Sequence, residues 1–138
     1  MRFCADLHLS DAELELLKPI EHNVLKHMTV VNDICSFDKE VLAAKDGFEL
    51  GAICSSVPIV MELTGLDEAE TKRIMWQMVR AWERRHFELV SELRSQGQGA
   101  DVLKCLRGLE YQMAGNERWS LTTPRYNRGG SMPSAEGQ

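Results

Sequence analysis

The stretch that decides the fold runs from Ile20 to Ala44 and reads IEHNVLKHMTVVNDICSFDKEVLAA. It contains no glycine or proline, and its apolar residues recur at helical spacing. These residues are Leu25, Met28, Ile34, Val41 and Leu42. Asp46 and Gly47 follow as a stop signal. The pattern therefore predicts one long helix that ends at this pair.

One face of the predicted helix carries polar side chains. Because an α-helix turns about 100° per residue, four of them share a stripe roughly 100° wide. They are Asn32, Ser36, Lys39 and Glu40. Asp33 and Asp38 point away from this stripe.

The chemistry of the stripe suits a metal ion and an anion. Amide, hydroxyl and carboxylate oxygens from Asn32, Ser36 and Glu40 are the hard ligands that Mg²⁺ prefers. A single carboxylate leaves net positive charge on the ion, which then completes its shell with water and phosphate oxygens. Lys39 suits the same anion, so the stripe predicts a diphosphate site. The alternative is an ordinary polar helix face in water.

The overall composition indicates a soluble globular protein of one domain. The chain has 138 residues, of which 43% are hydrophobic and 27% charged. The net charge of −5 gives no reason to expect nucleic acid or an anionic membrane as a partner. No signal peptide or membrane-spanning run is present in the sequence. The four cysteines are widely spaced, which indicates reduced thiols in a cytoplasmic protein.

The rest of the chain is patterned as further helices. Ser10 to Glu13 form a capping box that predicts a short helix to about Leu17, with Pro19 beginning the next helix. Phe48 to Thr64 predicts a helix that is buried on several faces and is kinked or broken at Pro58. The apolar residues of this segment are numerous enough to require neighbours on most sides.

Two more helices are predicted after Gly65. Asp67 to Glu70 form a second capping box, which opens a helix to about Ser95. Trp76 and Trp82 lie on its inward stripe and are expected in the core. Asp101 can cap a last helix that ends near Gly115, followed by an irregular segment to Asn127. No strand pattern occurs, so the sequence predicts an all-α fold of about five helices. The histidines are scattered singly and are assigned no chemistry.

The motif helix resembles a known family. Asn32-Asp33-Ile34-x-Ser36-x-x-Lys39-Glu40 is similar to the magnesium motif N-D-x-x-S-x-x-K-E of class I terpene cyclases, in the form found in fungal sesquiterpene synthases. Thr122 to Tyr126 resembles the Arg-Tyr segment with which these enzymes hold the substrate diphosphate. Gly108 to Tyr111 and Gly115 to Ser120 resemble the last helix of aristolochene-synthase-like cyclases.

The resemblance implies a fold and an activity. The fold is the C-terminal part of the class I terpenoid synthase α-barrel, spanning residues 1–128, with a disordered tail at residues 129–138. The activity is magnesium-dependent ionisation and cyclisation of an isoprenyl diphosphate, farnesyl diphosphate, with release of diphosphate.

The resemblance also implies roles for individual residues. Asn32, Ser36 and Glu40 would bind Mg²⁺. Lys39, Arg125 and Tyr126 would bind the diphosphate, and Trp119 would stabilise a carbocation by its ring face. From the residues alone, Arg125 and Tyr126 fit a surface loop, and Trp119 equally fits a core position.

One motif of the family is absent from the sequence. Terpene cyclases carry an aspartate-rich cluster on an upstream helix, and these 138 residues contain no D-D-x-x-D pattern. We therefore expect a C-terminal fragment that is inactive alone and self-associates through uncovered apolar faces. A chain-elongating prenyltransferase is disfavoured by the neutral Asn32 and Ser36. A non-catalytic helical interaction module or a degenerate remnant stays as the alternative.

Overall fold

The structure, a computed structural model, describes residues 6–47 and 53–126. Over these residues it contains four helices and no strand, which confirms the all-α prediction. The helices are α1 (Asp11–Lys45), α2 (Val57–Thr64), α3 (Glu68–Ser95) and α4 (Ala100–Thr122). The predicted tail at 129–138, the start of the predicted helix at 48–52 and Cys4 lie outside the described residues.

Helix α1 begins at the predicted capping box. The Glu13 backbone N–H donates to Ser10 Oγ at 3.3 Å, and the Ser10 backbone N–H donates to Glu13 Oε2 at 2.8 Å. The predicted interruption before Pro19 is wrong, because α1 continues through this residue. Proline in a helix interior removes one hydrogen bond and crowds the preceding turn. Burial of the adjacent Leu17 and Ile20 outweighs that cost.

Helix α2 is shorter and more exposed than the sequence predicts. It begins at Val57 with Pro58 in its first turn, and residues 53–56 before it are not helical. Val57 is its single buried residue, whereas Ile59 and Leu63 are 58% and 81% exposed. The prediction of burial on several faces is therefore wrong for the described residues. Gly65 ends the helix at φ 70°, a conformation that favours glycine.

Helices α3 and α4 differ in how well their ends are predicted. Asp67 caps α3 by accepting from the Glu70 backbone N–H at 2.8 Å, and the predicted end near Ser95 is confirmed. Helix α4 is capped at Gly99 and not at Asp101. It also continues through Gly115, so the predicted irregular segment is wrong as far as Thr122.

Two apolar clusters hold the helices together, and both contain residues of α1. One unites the N-terminal half of α1 with the C-terminal half of α3 and with α4. It comprises Leu17, Ile20, Val24, Val90, Leu93, Val102, Cys105, Leu106, Leu109 and Met113. The other unites the C-terminal half of α1 with α2 and the N-terminal half of α3. It comprises Val31, Ile34, Phe37, Val57, Met75 and Val79.

These clusters make α1 the central helix. Because opposite halves of α1 and α3 meet, the two helices are antiparallel. Helix α4 packs on α1 in the parallel sense, since its start lies beside Leu17 and the Asn116 side chain donates to the Met28 carbonyl at 3.3 Å. Helices α3 and α4 flank α1 and face each other mainly through long side chains. None of the described helices is both long and apolar enough to span a membrane.

The packing predicts unequal effects of two leucine substitutions in α4. Leu106 is fully buried, whereas Leu103, one turn earlier, is 39% exposed. Leu106→Ala should lower the free energy of unfolding by about 2–5 kcal/mol, because it leaves a cavity. Leu103→Ala should cost under about 1 kcal/mol. Urea denaturation followed by circular dichroism measures both, and equal losses would contradict the packing described.

Candidate metal and diphosphate site

Ser36 and Glu40 form a buried pair on the motif face of α1. The Ser36 hydroxyl donates to Glu40 Oε1 at 2.6 Å, and both residues are more than 90% buried. The second carboxylate oxygen, Oε2, accepts from the Cys54 backbone N–H at 2.9 Å. A solvated polar face, the alternative from the sequence, is therefore wrong for these two residues. The segment before α2 orients the Glu40 carboxylate.

Asn32 connects the motif to the end of the chain. Its Nδ2 donates to the Tyr126 hydroxyl at 2.8 Å, across 94 positions of sequence. The Tyr126 ring meets the Trp119 ring edge to face, with 5.4 Å between the ring centroids. Trp119 itself is 48% exposed, which excludes the core position that the sequence left open. The structure thus brings together Asn32, Tyr126 and Trp119.

The two predicted cations are positioned differently. Lys39 is half-buried on α1. Arg125 is exposed on the turn after α4, where its backbone N–H donates to Thr123 Oγ1 at 3.3 Å. We predict that the Arg125 guanidinium and the Lys39 ammonium lie near the Ser36–Glu40 pair, and this stays a prediction.

The carboxylates that were expected to point away from the stripe bind other helices. Asp33 Oδ2 accepts from both the backbone N–H and the hydroxyl of Ser56, at 2.9 and 2.5 Å, and so ties α1 to the start of α2. Asp38 accepts from Lys72 of α3 at 2.6 Å. Burial alone would raise the pKa of Asp38, but the hydrogen bond and charge of Lys72 lower it below its ordinary value.

The hydrogen bonds leave oxygen lone pairs suited to a cation. Ser36 donates its proton to Glu40, so both lone pairs of its Oγ can face an ion. Asn32 donates from Nδ2 to Tyr126, and its Oδ1 is an acceptor. Burial raises the pKa of the nearby Cys35 thiol to about 11, and the charge of Glu117 adds to this effect. The thiol is therefore protonated at neutral pH, and oxygens dominate the donor set. This set fits Mg²⁺.

A second polar cluster, which no sequence pattern indicates, lies where three helices meet. His27 of α1 lies 3.1 Å from Glu83 of α3 and 3.5 Å from Glu117 of α4, measured from its Nε2. Arg80 pairs with both carboxylates. Burial raises the pKa of Glu117, but Arg80 outweighs burial and the net pKa is lowered. Glu83 and Glu117 lie 56 and 90 positions after His27 in the sequence, so a pattern of neighbouring residues cannot predict the cluster.

Comparison with known proteins identifies the family. A family profile described as "Terpene synthase family 2, C-terminal metal binding" matches residues 1–85, which include Asn32, Ser36 and Glu40. The chain belongs to the terpene synthase family. It therefore falls in a class of enzymes that are all-α and whose C-terminal part binds metal.

Individual relatives agree with this assignment. The chain is 46% identical over 130 residues to aristolochene synthase of Penicillium roqueforti, covering 92% of this chain and 38% of that protein. It is 31% identical over 135 residues to dolasta-1(15),8-diene synthase of Colletotrichum gloeosporioides, covering 97% and 18%. The crystal structure of aristolochene synthase from P. roqueforti superposes with a TM-score of 0.78 at 43% identity, over 89% of this chain and 40% of that one. The chain thus spans about two fifths of the aristolochene synthases that it matches.

The Asn32–Tyr126 bond predicts a difference between the two tyrosines of the chain. Tyr126→Phe removes the hydroxyl that accepts from Asn32 and should lower the free energy of unfolding by about 0.5–1.5 kcal/mol. Tyr111→Phe is the matched control, since Tyr111 is 68% exposed, and it should change stability by less than about 0.5 kcal/mol. Urea denaturation measures both. An unchanged Tyr126→Phe variant would contradict the bond.

Proposed function

We propose that this chain supplies the Asn-Ser-Glu metal site and the diphosphate-binding end of a terpene synthase that ionises and cyclises farnesyl diphosphate. The observation that supports it best is the buried Ser36–Glu40 pair, one turn from an Asn32 that contacts Tyr126. Under this proposal residues 1–128 belong to one terpene synthase domain. The protein acts in the cytoplasm, where thiols such as Cys35 stay reduced.

Asn32, Ser36 and Glu40 would hold Mg²⁺ through one oxygen each. When bound there, Mg²⁺ supplies positive charge that stabilises the diphosphate leaving group. Glu40 is the single carboxylate of the three, so the ion keeps a net positive charge for the substrate. The Cys54 backbone N–H and the Ser36 hydroxyl keep the Glu40 carboxylate oriented before any ion arrives.

Hydrogen-bond donors and an aromatic ring complete the proposed roles. Lys39, Arg125 and Tyr126 donate to the diphosphate and stabilise the charge that it gains on leaving. Tyr126 accepts from Asn32 Nδ2, and its own O–H proton can donate to the substrate. Trp119 is half-exposed beside Tyr126, and its ring face can stabilise the cation left behind.

Binding of inorganic diphosphate to the 138-residue chain tests the metal site directly. We expect calorimetry to detect diphosphate binding that requires Mg²⁺, and Glu40→Gln to weaken it by about tenfold or more. Asp38→Asn is the matched control, because Asp38 lies on the same helix but pairs with Lys72. Diphosphate binding without Mg²⁺, or equal effects of the two substitutions, would contradict the proposed ligands.

Product formation from farnesyl diphosphate tests whether these 138 residues alone carry the proposed activity. Incubation of the 138 residues with farnesyl diphosphate and Mg²⁺ should give no volatile hydrocarbon by gas chromatography, since these residues contain no aspartate-rich cluster of the kind that terpene cyclases carry. A hydrocarbon product above the level of a Glu40→Gln control would show that this argument is wrong.

A second candidate is a non-catalytic helical module that binds a partner or a second copy. Exposed apolar side chains favour it, notably Leu63 at 81%, Phe87 at 73% and Leu25 at 59%. Contiguous apolar surface promotes association. This candidate gives no account of the buried Ser36–Glu40 pair, whose carboxylate is costly to remove from water and is held by two hydrogen bonds.

A further inference from the structure

The three-helix junction around His27 forms a groove between α3 and α4. The groove has a volume of about 300 Å³, and His27 of α1 lies at its floor. Glu83 and His86 line it from α3, and Glu117 lines it from α4. The groove faces away from the motif stripe, because His27 precedes Asn32 by five residues and so points about 140° from it around α1.

We propose that this groove binds a divalent transition-metal ion of the zinc class through His27, Glu83 and Glu117, with His86, whose ring nitrogens have no partner, lining the same groove. The site is separate from the Asn32–Ser36–Glu40 site and does not depend on the function proposed above. Its ligands come from α1, α3 and α4, so a bound ion would join all three helices.

The spacing of the three nearest ligands suits zinc. Donor atoms from His27, Glu83 and Glu117 all lie within 4.8 Å of one another. The His27 Nε2 atom is 3.1 Å from Glu83 Oε1 and 3.5 Å from Glu117 Oε2. Tetrahedral zinc with ligands at about 2.1 Å requires donors about 3.4 Å apart. The two distances from His27 therefore match those between ligands of a tetrahedral zinc site.

Buried imidazole nitrogens without hydrogen-bond partners are the second observation. Neither ring nitrogen of His86 has a hydrogen-bond partner, although the residue is only 6% exposed. His27 is 1% exposed, and its Nδ1 is also unpartnered. Buried polar atoms without partners are unfavourable. The groove that contains the two carboxylates is therefore also lined by histidines with unpartnered ring nitrogens.

Arg80 occupies the carboxylates in the metal-free protein. It donates to Glu117 at 2.5 and 3.1 Å and also pairs with Glu83. Its side chain is 46% exposed, so it can leave the carboxylates for solvent. A guanidinium and a metal ion compete for the same two carboxylates. Arg80 therefore makes binding weaker than the ligand set alone would allow.

This competition gives substitutions with opposite expected effects. Titration of Zn²⁺ into the full 138-residue chain should show one binding event that excess Mg²⁺ does not displace, because imidazole favours zinc. Glu83→Gln should weaken Zn²⁺ binding by about tenfold or more. Arg80→Met should strengthen it by about tenfold, because it removes a positive charge beside the ligands. Circular dichroism verifies that each variant is folded.

The next ion pair along α3 supplies matched controls. Arg85 and Glu88 have the same i, i+3 spacing as Arg80 and Glu83 but are 56% and 62% exposed at their side chains. Arg85→Met and Glu88→Gln should leave the Kd for Zn²⁺ unchanged, as should Glu40→Gln at the other site. Co²⁺ in place of Zn²⁺ should give visible absorption without the intense band of a thiolate ligand.

Three results would overturn the proposal. The first is a wild-type chain that binds no Zn²⁺, and the second is an equal Kd for Glu83→Gln and Glu88→Gln. The third is a thiolate–cobalt band, which would assign the ion to a cysteine. Stronger binding by Arg80→Met together with weaker binding by Glu83→Gln supports the site.

Discussion

The structure depends on burial of α1 along nearly its whole length. The helix contributes Leu17, Ile20 and Val24 to one apolar cluster, and Val31, Ile34 and Phe37 to the other. Since tertiary packing supplies most of the stability of helices in proteins, contacts in both clusters are what keep these 35 residues helical, so that they present one polar stripe. Asn32, Ser36 and Glu40 hold their relative positions because the helix beneath them is held at both ends.

The candidate site shows how protein groups can prepare ligands before an ion is bound. Ser36 donates its hydroxyl proton to Glu40, and Asn32 donates from its amide nitrogen to Tyr126. The lone pairs of Ser36 Oγ and Asn32 Oδ1 can therefore face an ion. Glu40 accepts from a backbone N–H that comes from outside its own helix. Such supporting hydrogen bonds tune the affinity of a metal site as strongly as many ligands do. The loop before α2 is therefore part of the site.

The sequence predicted local features better than distant ones. The capping box at Ser10, the stop at Gly65 and the end of α3 near Ser95 depend on neighbouring residues, and these predictions are confirmed. Pro19 and Gly115 each predict a break, because each disfavours a helix interior by its own chemistry. Both are exposed, and burial of neighbouring residues in the helix, Leu17 and Ile20 near Pro19 and Met113 near Gly115, outweighs that preference.

The same reasoning explains the uneven prediction of the sites. The motif stripe lies on one helix, so its spacing is visible in sequence. The resemblance to terpene cyclases then supplied Tyr126, which the structure brings to Asn32. The His27 cluster draws one residue from each of three helices, and single histidines in a sequence carry no signal. Only the folded chain brings such residues together.

The contact between Asn32 and Tyr126 has a consequence for the order of folding. It closes a loop of 94 residues, and such closures come late because their entropy must be offset by many earlier contacts. The middle of α1 can be fixed by its two apolar clusters before the turn after α4 docks. The proposed metal ligands Asn32, Ser36 and Glu40 would then be assembled early and be resistant to opening. The turn that carries Tyr126, near a helix end, would be the part that opens most readily in the native protein.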